Sequence, residues 1–433
     1  MTTRHTIQSA TAFLACALLA AGCFQQSPEL SASSTATTTP SSAASSPDEA
    51  SPSATTAQAD GGDTADCIDP TTFDRNKDYF PDKVEFKEAK LIEVEYHNFY
   101  KTISITNPDT QAVQKAVLVK CGAEQPDLGP DLEEAKVITV PATRIITPST
   151  TEISNFELLD ALDHIGATGA TEYISSTKAL EYFKTANTPA IANPNGDIDV
   201  EQALAVKPDV TLMSGMANDA YTAIAAADVP VLDDNAWLEA TPLGRAEWLK
   251  FFAVLTNTEA KANTEYNRIE TAYNTVKEQV ASEASKPTVL AGSVYQGQWY
   301  VPGNDSYVAK FIEDAGGSYV MKSAPGGGSE PVDFEKVVAE GGQADIWINA
   351  QSSAPAWAST ADIIAVDARL GELKAVKDGK VFNPMKKIGP GGGNEYWETG
   401  VIQPDVVLHD LAAAFHPDAF TDYEPVYYLN VGK

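Results

Sequence analysis

Apolar residues recur along this chain with two periods, and the places where one gives way to the other mark the elements. Period-two alternation at Leu91, Ile92 and Val94, and again at Thr102, Ser104 and Thr106, predicts a hairpin of two strands. From Pro242 to about Ser285 the helical period takes over. Leu243, Ala246, Leu249, Phe252 and Ala253 share one face, Tyr266, Ile269 and Tyr273 share one further on, and Gly244 is the only interior glycine. That pattern predicts one long helix over 241–285. Two further segments rhyme. Asp199 to Ala205, running into Pro208 to Leu212, is matched by Asp333 to Ala339, running into Ala344 to Ile348. Each copy reads as capped helix, turn, strand, with Asp199 or Asp333 at the N-cap and Glu201 or Glu335 in the first turn, where the helix dipole favours negative charge. Upstream of the copies, Leu158 to Gly166 and Phe311 to Gly317 read as amphipathic helices stopped by glycine. The predicted class is therefore α/β: two Rossmann-like lobes, each a mostly parallel sheet covered on both faces, joined by a long rigid α-helix.

The start of the chain follows a different logic. Arg4 is followed by an apolar run from Ala10 to Ala21, too short to span a bilayer, and small residues precede a cysteine in Leu19-Ala20-Ala21-Gly22-Cys23. This end resembles the bacterial lipobox, which implies a signal peptide over 1–22 and a diacylglyceryl lipid on Cys23. Residues 23–60 are mostly Ser, Thr, Ala and Pro, a composition too poor in large apolar groups to fold, and are expected to form a disordered tether. The remaining divisions are an extension over 61–140 containing the hairpin, an N-terminal lobe over 141–240, the helix over 241–285, and a C-terminal lobe with a tail over 286–433. The lipid is expected to be the only membrane contact, holding a monomer on the extracytoplasmic (periplasmic) side.

A formal charge of −30 argues against nucleic acid or anionic lipid surfaces as partners. Of four cysteines, Cys16 leaves with the signal and Cys23 takes the lipid. Cys67 and Cys121 are left, and in an exported protein they are expected to form a disulfide. There is no CxxC, and His97, His164, His409 and His416 are too scattered for a metal site. GxSxG, HExxH and a P-loop lysine are also missing, which disfavours an anchored hydrolase; a structural or adhesive lipoprotein would bind no small molecule.

The order of lipobox, tether, lobe, long helix and second lobe resembles the class III substrate-binding proteins of bacterial ABC importers. Arg144-Ile145-Ile146-Thr147-Pro148-Ser149-Thr150, Ala205-Val206-Lys207-Pro208-Asp209-Val210, Pro242-Leu243-Gly244-Arg245-Ala246-Glu247-Trp248 and Gly391-Gly392-Gly393-Asn394-Glu395-Tyr396-Trp397-Glu398 carry the likeness, which spans about Ala142 to His416. Members of that family carry ferric siderophores, haem or corrinoids. The resemblance implies a binding protein without catalysis or cofactor, partnered by an ABC permease and its ATPase, with Glu201 and Glu335 docking into arginine pockets of the permease. The stretch from Tyr79 to Val140 exceeds the minimal family core and receives no role.

Loops at the carboxyl ends of the strands are expected to line a cleft between the lobes. The candidate ligand contacts are Thr150 beside Ser149, Ser214 beside Met213, Trp237, Tyr295, Trp299, Tyr300, Asn349 with Gln351, Lys386, Lys387, Tyr396 and Trp397. Trp248 and Trp347 are assigned to the core, Arg245 to capping the long helix, and the terminal pair Tyr427-Tyr428 is set aside. Such walls suit a large metal chelate. Lys386 and Lys387 would answer an anionic ferric siderophore, a corrinoid would need only rings and amides, and haem would want an axial ligand such as Tyr300.

Overall fold

A computed structural model describes residues 67–432, apart from 216, 296, 323, 325 and 352–354. The signal peptide, Cys23 and the tether lie outside the described residues. The predicted hairpin opens a four-stranded sheet: β1 (Ile92–Tyr96), β2 (Tyr100–Thr106), β3 (Val113–Lys120) and β4 (Lys136–Val140), in that order, with β4 parallel to β3 and the other pairs antiparallel. Its buried face, Ile103, Ile105, Leu118 and Ile138, shares one core with Ile145, Leu212 and Leu232 of the first lobe. A disulfide joins Cys67 to Cys121 at the root of β3.

In the first lobe, β5 (Ile145–Thr147), β6 (Ile165–Thr168), β7 (Val210–Ser214) and β8 (Val231–Asp234) form a parallel sheet in the order β6-β5-β7-β8, connected through α1 (Thr150–Leu158), α2 (Thr177–Ala186), α3 (Val200–Ala205) and α4 (Asp219–Ala226). The strands are short apolar runs because both faces are covered. Ser149 and Glu152 form a capping box that starts α1 immediately after β5. The helix read over Leu158 to Gly166 is corrected: α1 stops at Leu158, Asp160 turns left-handed at φ +57°, and Ile165 already begins β6.

Three helices follow where one was expected: α5 (Pro242–Glu247), α6 (Leu249–Thr256) and α7 (Glu259–Ala281). The breaks come at Trp248, between α5 and α6, and at Asn257, a left-handed cap at φ +55° between α6 and α7. Each piece serves a different core. Leu243 and Ala246 of α5 enter the second lobe's core, every residue of α6 is buried and its apolar ones pack into the first lobe, and α7 from Tyr266 onward packs on the second lobe. The connection is stiff, but it crosses between the lobes as stitches and not as a single rod. No helix among the described residues is long and apolar enough to cross a membrane.

The second lobe contains β9 (Thr288–Ala291), a hairpin β10 (Ser293–Tyr295) and β11 (Gln298–Pro302), α8 (Tyr307–Asp314), β12 (Ser318–Tyr319), β13 (Ser329–Val332), α9 (Phe334–Gly341), β14 (Ile346–Ile348), α10 (Thr360–Val366), α11 (Lys374–Lys377), β15 (Val381–Asn383), α12 (Thr399–Ile402), α13 (Pro404–Phe415) and β16 (Leu429–Asn430). Its main sheet runs β12-β9-β14-β15-β16, parallel except for β16, and β10-β11-β13 form a small antiparallel sheet beside it. Both copies of the rhyme fold alike: α3 leads to β7 and α9 to β14. Asp199 caps α3 by accepting from the Gln202 N–H at 3.0 Å, whereas Asp333 sits at the N-cap of α9 without a side-chain bond.

Candidate functional site

The lobes face each other through the loops at the carboxyl ends of their strands. On the first lobe, Thr150 is the first residue of α1, Ser214 ends β7, and Trp237 stands 40% exposed in the turn after β8. On the second, Tyr295 and Tyr300 lie diagonally across the β10–β11 hairpin with ring centres 6.5 Å apart, and Trp397 is 39% exposed in the turn Glu395–Trp397.

Several expected contacts have other duties. Trp299 is on the opposite face of β11 from Tyr300, 2% exposed, with its ring centre 5.2 Å from that of Trp347, so it is core and not ligand wall. Tyr396 is 5% exposed and packs edge-on against Tyr427 and Tyr428, and it also lines a small depression beside Arg245. Asn349, at φ +53° after β14, accepts from the Tyr428 hydroxyl at 2.6 Å. Lys386 pairs with Glu424, and Lys387 lies 3.1 Å from Glu395, so neither lysine offers an uncompensated charge. Arg245 sits in the last turn of α5, and its guanidinium lies 4.0 Å from the ring centre of Tyr307 in α8 of the second lobe.

One segment actually closes the seam, and the string of glycines in it explains how. The tight loop Gly389–Gly393, pinned by Gly389 N–H to Gly393 O at 2.7 Å, presses on the backbone of residues 172–175 of the first lobe. A Cβ on Gly391 would fall 1.7 Å from the Glu172 carbonyl oxygen, and one on Gly393 would fall 1.8 Å from that of Tyr173. Only backbone without side chains fits there. Next to this loop Glu398, 2% exposed, accepts the Ser175 N–H at 2.7 Å, and its own carbonyl accepts the Ser154 hydroxyl at 3.0 Å. Burial pushes the Glu398 carboxyl up to about 7, against the pull of the Ser175 N–H.

Behind the loop lies a cluster of buried charge. Glu152 in α1 is fully buried and held well above the usual carboxylate range, first by burial and then by the neighbouring Asp234. Burial raises Asp234 to about 6 despite the Ala236 N–H and the Arg245 charge. Glu152 Oε1, Asn155 Oδ1 and Arg245 Nε are buried without hydrogen-bond partners. Composition offered no sign of this cluster.

Geometry of this kind, two α/β lobes closing loop to loop with a helical connection, has a match. A family model described as periplasmic binding protein covers residues 149–385. The chain belongs to the periplasmic binding protein family. Among curated relatives, an uncharacterized lipoprotein of Methanocaldococcus jannaschii is 32% identical over 311 residues, 68% of this chain and 70% of that one. A second uncharacterized lipoprotein of the same organism is 25% identical over 331 residues, 73% of this chain and 80% of that one. Among solved structures, a periplasmic heme-binding protein from Pseudomonas aeruginosa matches with a TM-score of 0.50 at 18% identity, covering 66% of this chain and 95% of that one. A periplasmic binding protein from Veillonella parvula matches at 0.52 and 13% identity, covering 73% and 98%. At such identities the structural likeness speaks for fold alone. Periplasmic binding proteins act outside the membrane as substrate-binding components of ABC transporters and are not enzymes. The family match begins at Ser149, so the four-stranded extension precedes it in this periplasmic binding protein.

Proposed function

We propose that this protein captures a ferric siderophore between its lobes and delivers it to an ABC permease driven by a partner ATPase, while the lipid on Cys23 keeps it at the extracytoplasmic face of the membrane as a monomer. The observation that carries this reading is the equivalence of Glu201 and Glu335. Each is the second residue of its helix, α3 or α9, in corresponding places on the two lobes, and each is exposed. A carboxylate at a helix N-terminus needs no partner to be favourable there. Two of them on one stiff body also make a geometric signature that arginine pockets can read. The partly exposed rings of Trp237, Tyr295, Tyr300 and Trp397 suit a bulky chelate, which they would hold by area more than by charge.

The test is the double reversal Glu201→Lys with Glu335→Lys. Uptake of a ferric siderophore into cells should be lost, while the protein's affinity for it, followed by tryptophan fluorescence, should stay within about twofold of wild type, since neither residue lines the seam. A collapse of affinity would place the glutamates in the fold or the ligand site instead. A corrinoid is the second reading, favoured by the neutralisation of Lys386 and Lys387. Titration with cobalamin in the same assay separates the two.

A further inference from the structure

We propose that Arg245 is the residue by which the seam recognises negative charge, taking an oxyanion of the captured chelate on a guanidinium held flat against Tyr307; this rests on the ligand reading above. Five arginines are described. Arg75, Arg144, Arg268 and Arg369 each lie within 4 Å of a carboxylate, and Arg245 does not. Among the described residues its guanidinium has the Tyr307 ring as its one contact, and its Nε is buried without an acceptor. Asp234 feels the charge through space but makes no ion pair with it. A guanidinium has five donors and no way to shed its charge, so one left unmatched in a half-buried place is costly unless an acceptor arrives.

The surroundings say what kind of acceptor. Arg245 stands on a small depression between the strut and the second lobe, walled by Pro242 of α5 and by Tyr307, Phe311, Tyr396, Trp397 and Gly400. Aromatic and aliphatic walls around one fork of donors select a ligand with an apolar or flat body and an oxyanion, such as a carboxylate or catecholate, at its edge. The overall charge of −30 repels anions, so attraction for one must be local, and the two seam lysines are already compensated. Tyr307 fixes the plane of the guanidinium before the ligand comes, which lowers the ordering cost of binding. The depression is nearly closed, so its wall side chains must move to admit such a group.

The full-length chain in detergent would be titrated by tryptophan fluorescence with three probes: a net-anionic ferric tris-catecholate, an uncharged ferric trihydroxamate and cyanocobalamin. Arg245→Gln should weaken the anionic probe about 10- to 100-fold and leave an uncharged one within about twofold, and Arg245→Lys should recover part of the loss. Equal weakening of charged and uncharged probes would reduce Arg245 to a clamp between strut and lobe and overturn the assignment. So would unchanged affinity for the anion. Saturation of wild type by cobalamin alone would overturn the anion role while leaving transport intact, and no saturation by any probe would remove the ligand reading together with it.

Discussion

Burial at the seam raises the Glu398 carboxyl, and this makes the stability of the fold depend on pH in a direction opposite to most carboxylates. In the unfolded chain the group titrates near its ordinary 4.5; folded, it is pushed to about 7. Between those values the folded state binds the extra proton, so stability falls as pH rises: the contribution is complete below 4.5 and gone above about 7. At 1.36 kcal/mol per pH unit the gap is worth about 3 kcal/mol. Glu398→Gln keeps the shape and the acceptor for the Ser175 N–H but cannot ionise, so it should remove this share of the slope. Urea midpoints measured from pH 4.5 to 8 on both proteins provide the readout. Asp234 and Glu152 are raised as well and titrate in the same sense, so the wild type keeps falling beyond what Glu398 explains. The difference between the two curves isolates Glu398. Parallel curves, or a wild type that gains stability over Glu398→Gln as pH rises, would refute the assignment of a buried protonated carboxyl to this position.

Other substitutions probe the same architecture. Gly391→Ala should force the loop off residues 172–175 and open the seam, seen as a larger radius of gyration in solution scattering, while Gly327→Ala, whose nearest neighbour would be 3.7 Å away, should change nothing. Lys101→Met should cost about 3–5 kcal/mol in urea unfolding, because it leaves the buried Glu259 carboxylate without its cation. Replacing Cys67 and Cys121 by serine opens a cross-link over a sequence separation of 54 and should cost about 4 kcal/mol by the same measurement.

Where one residue's chemistry decides a local conformation, the sequence was informative. The aspartate before α3, the glutamate in the first turn of α3 and of α9, and the alternation in β1 and β2 all produced the elements they announce. The strand-end positions of Thr150, Ser214 and Trp237 were legible for the same reason, since each follows directly from where a strand stops. What could not be read was pairing at long range. Trp299 and Tyr300 are adjacent in sequence, and only the register of β11 against β10 and β13 decides which of them faces the core. Lys386 looks like a free cation until the tail brings Glu424 to it, 38 residues later. The break at Asn257 is hidden because asparagine tolerates the left-handed conformation without the glycine or proline that would advertise it.

The extension, surplus to the family match, constrains how the seam can move. Backbone N–H groups of Lys87, Glu88 and Ala89 converge on the Glu247 carboxylate in α5, those of Lys90 and Leu91 on Glu239, and buried Lys101 reaches past the end of α6 to Glu259 at the start of α7. Pulling the extension away would take partners from three buried carboxylates at once, Glu239, Glu247 and Glu259, each at a cost of several kcal/mol. The strut is therefore clamped at its first two helices and at the turn between the second and third, the places where a hinge would otherwise be expected. Compliance is left to the opposite side, where Gly389–Gly393 meets the backbone of residues 172–175 and the Glu398 carboxyl accepts the Ser175 N–H. Motion concentrated there would part the glycine loop from residues 172–175 while the strut itself stays clamped.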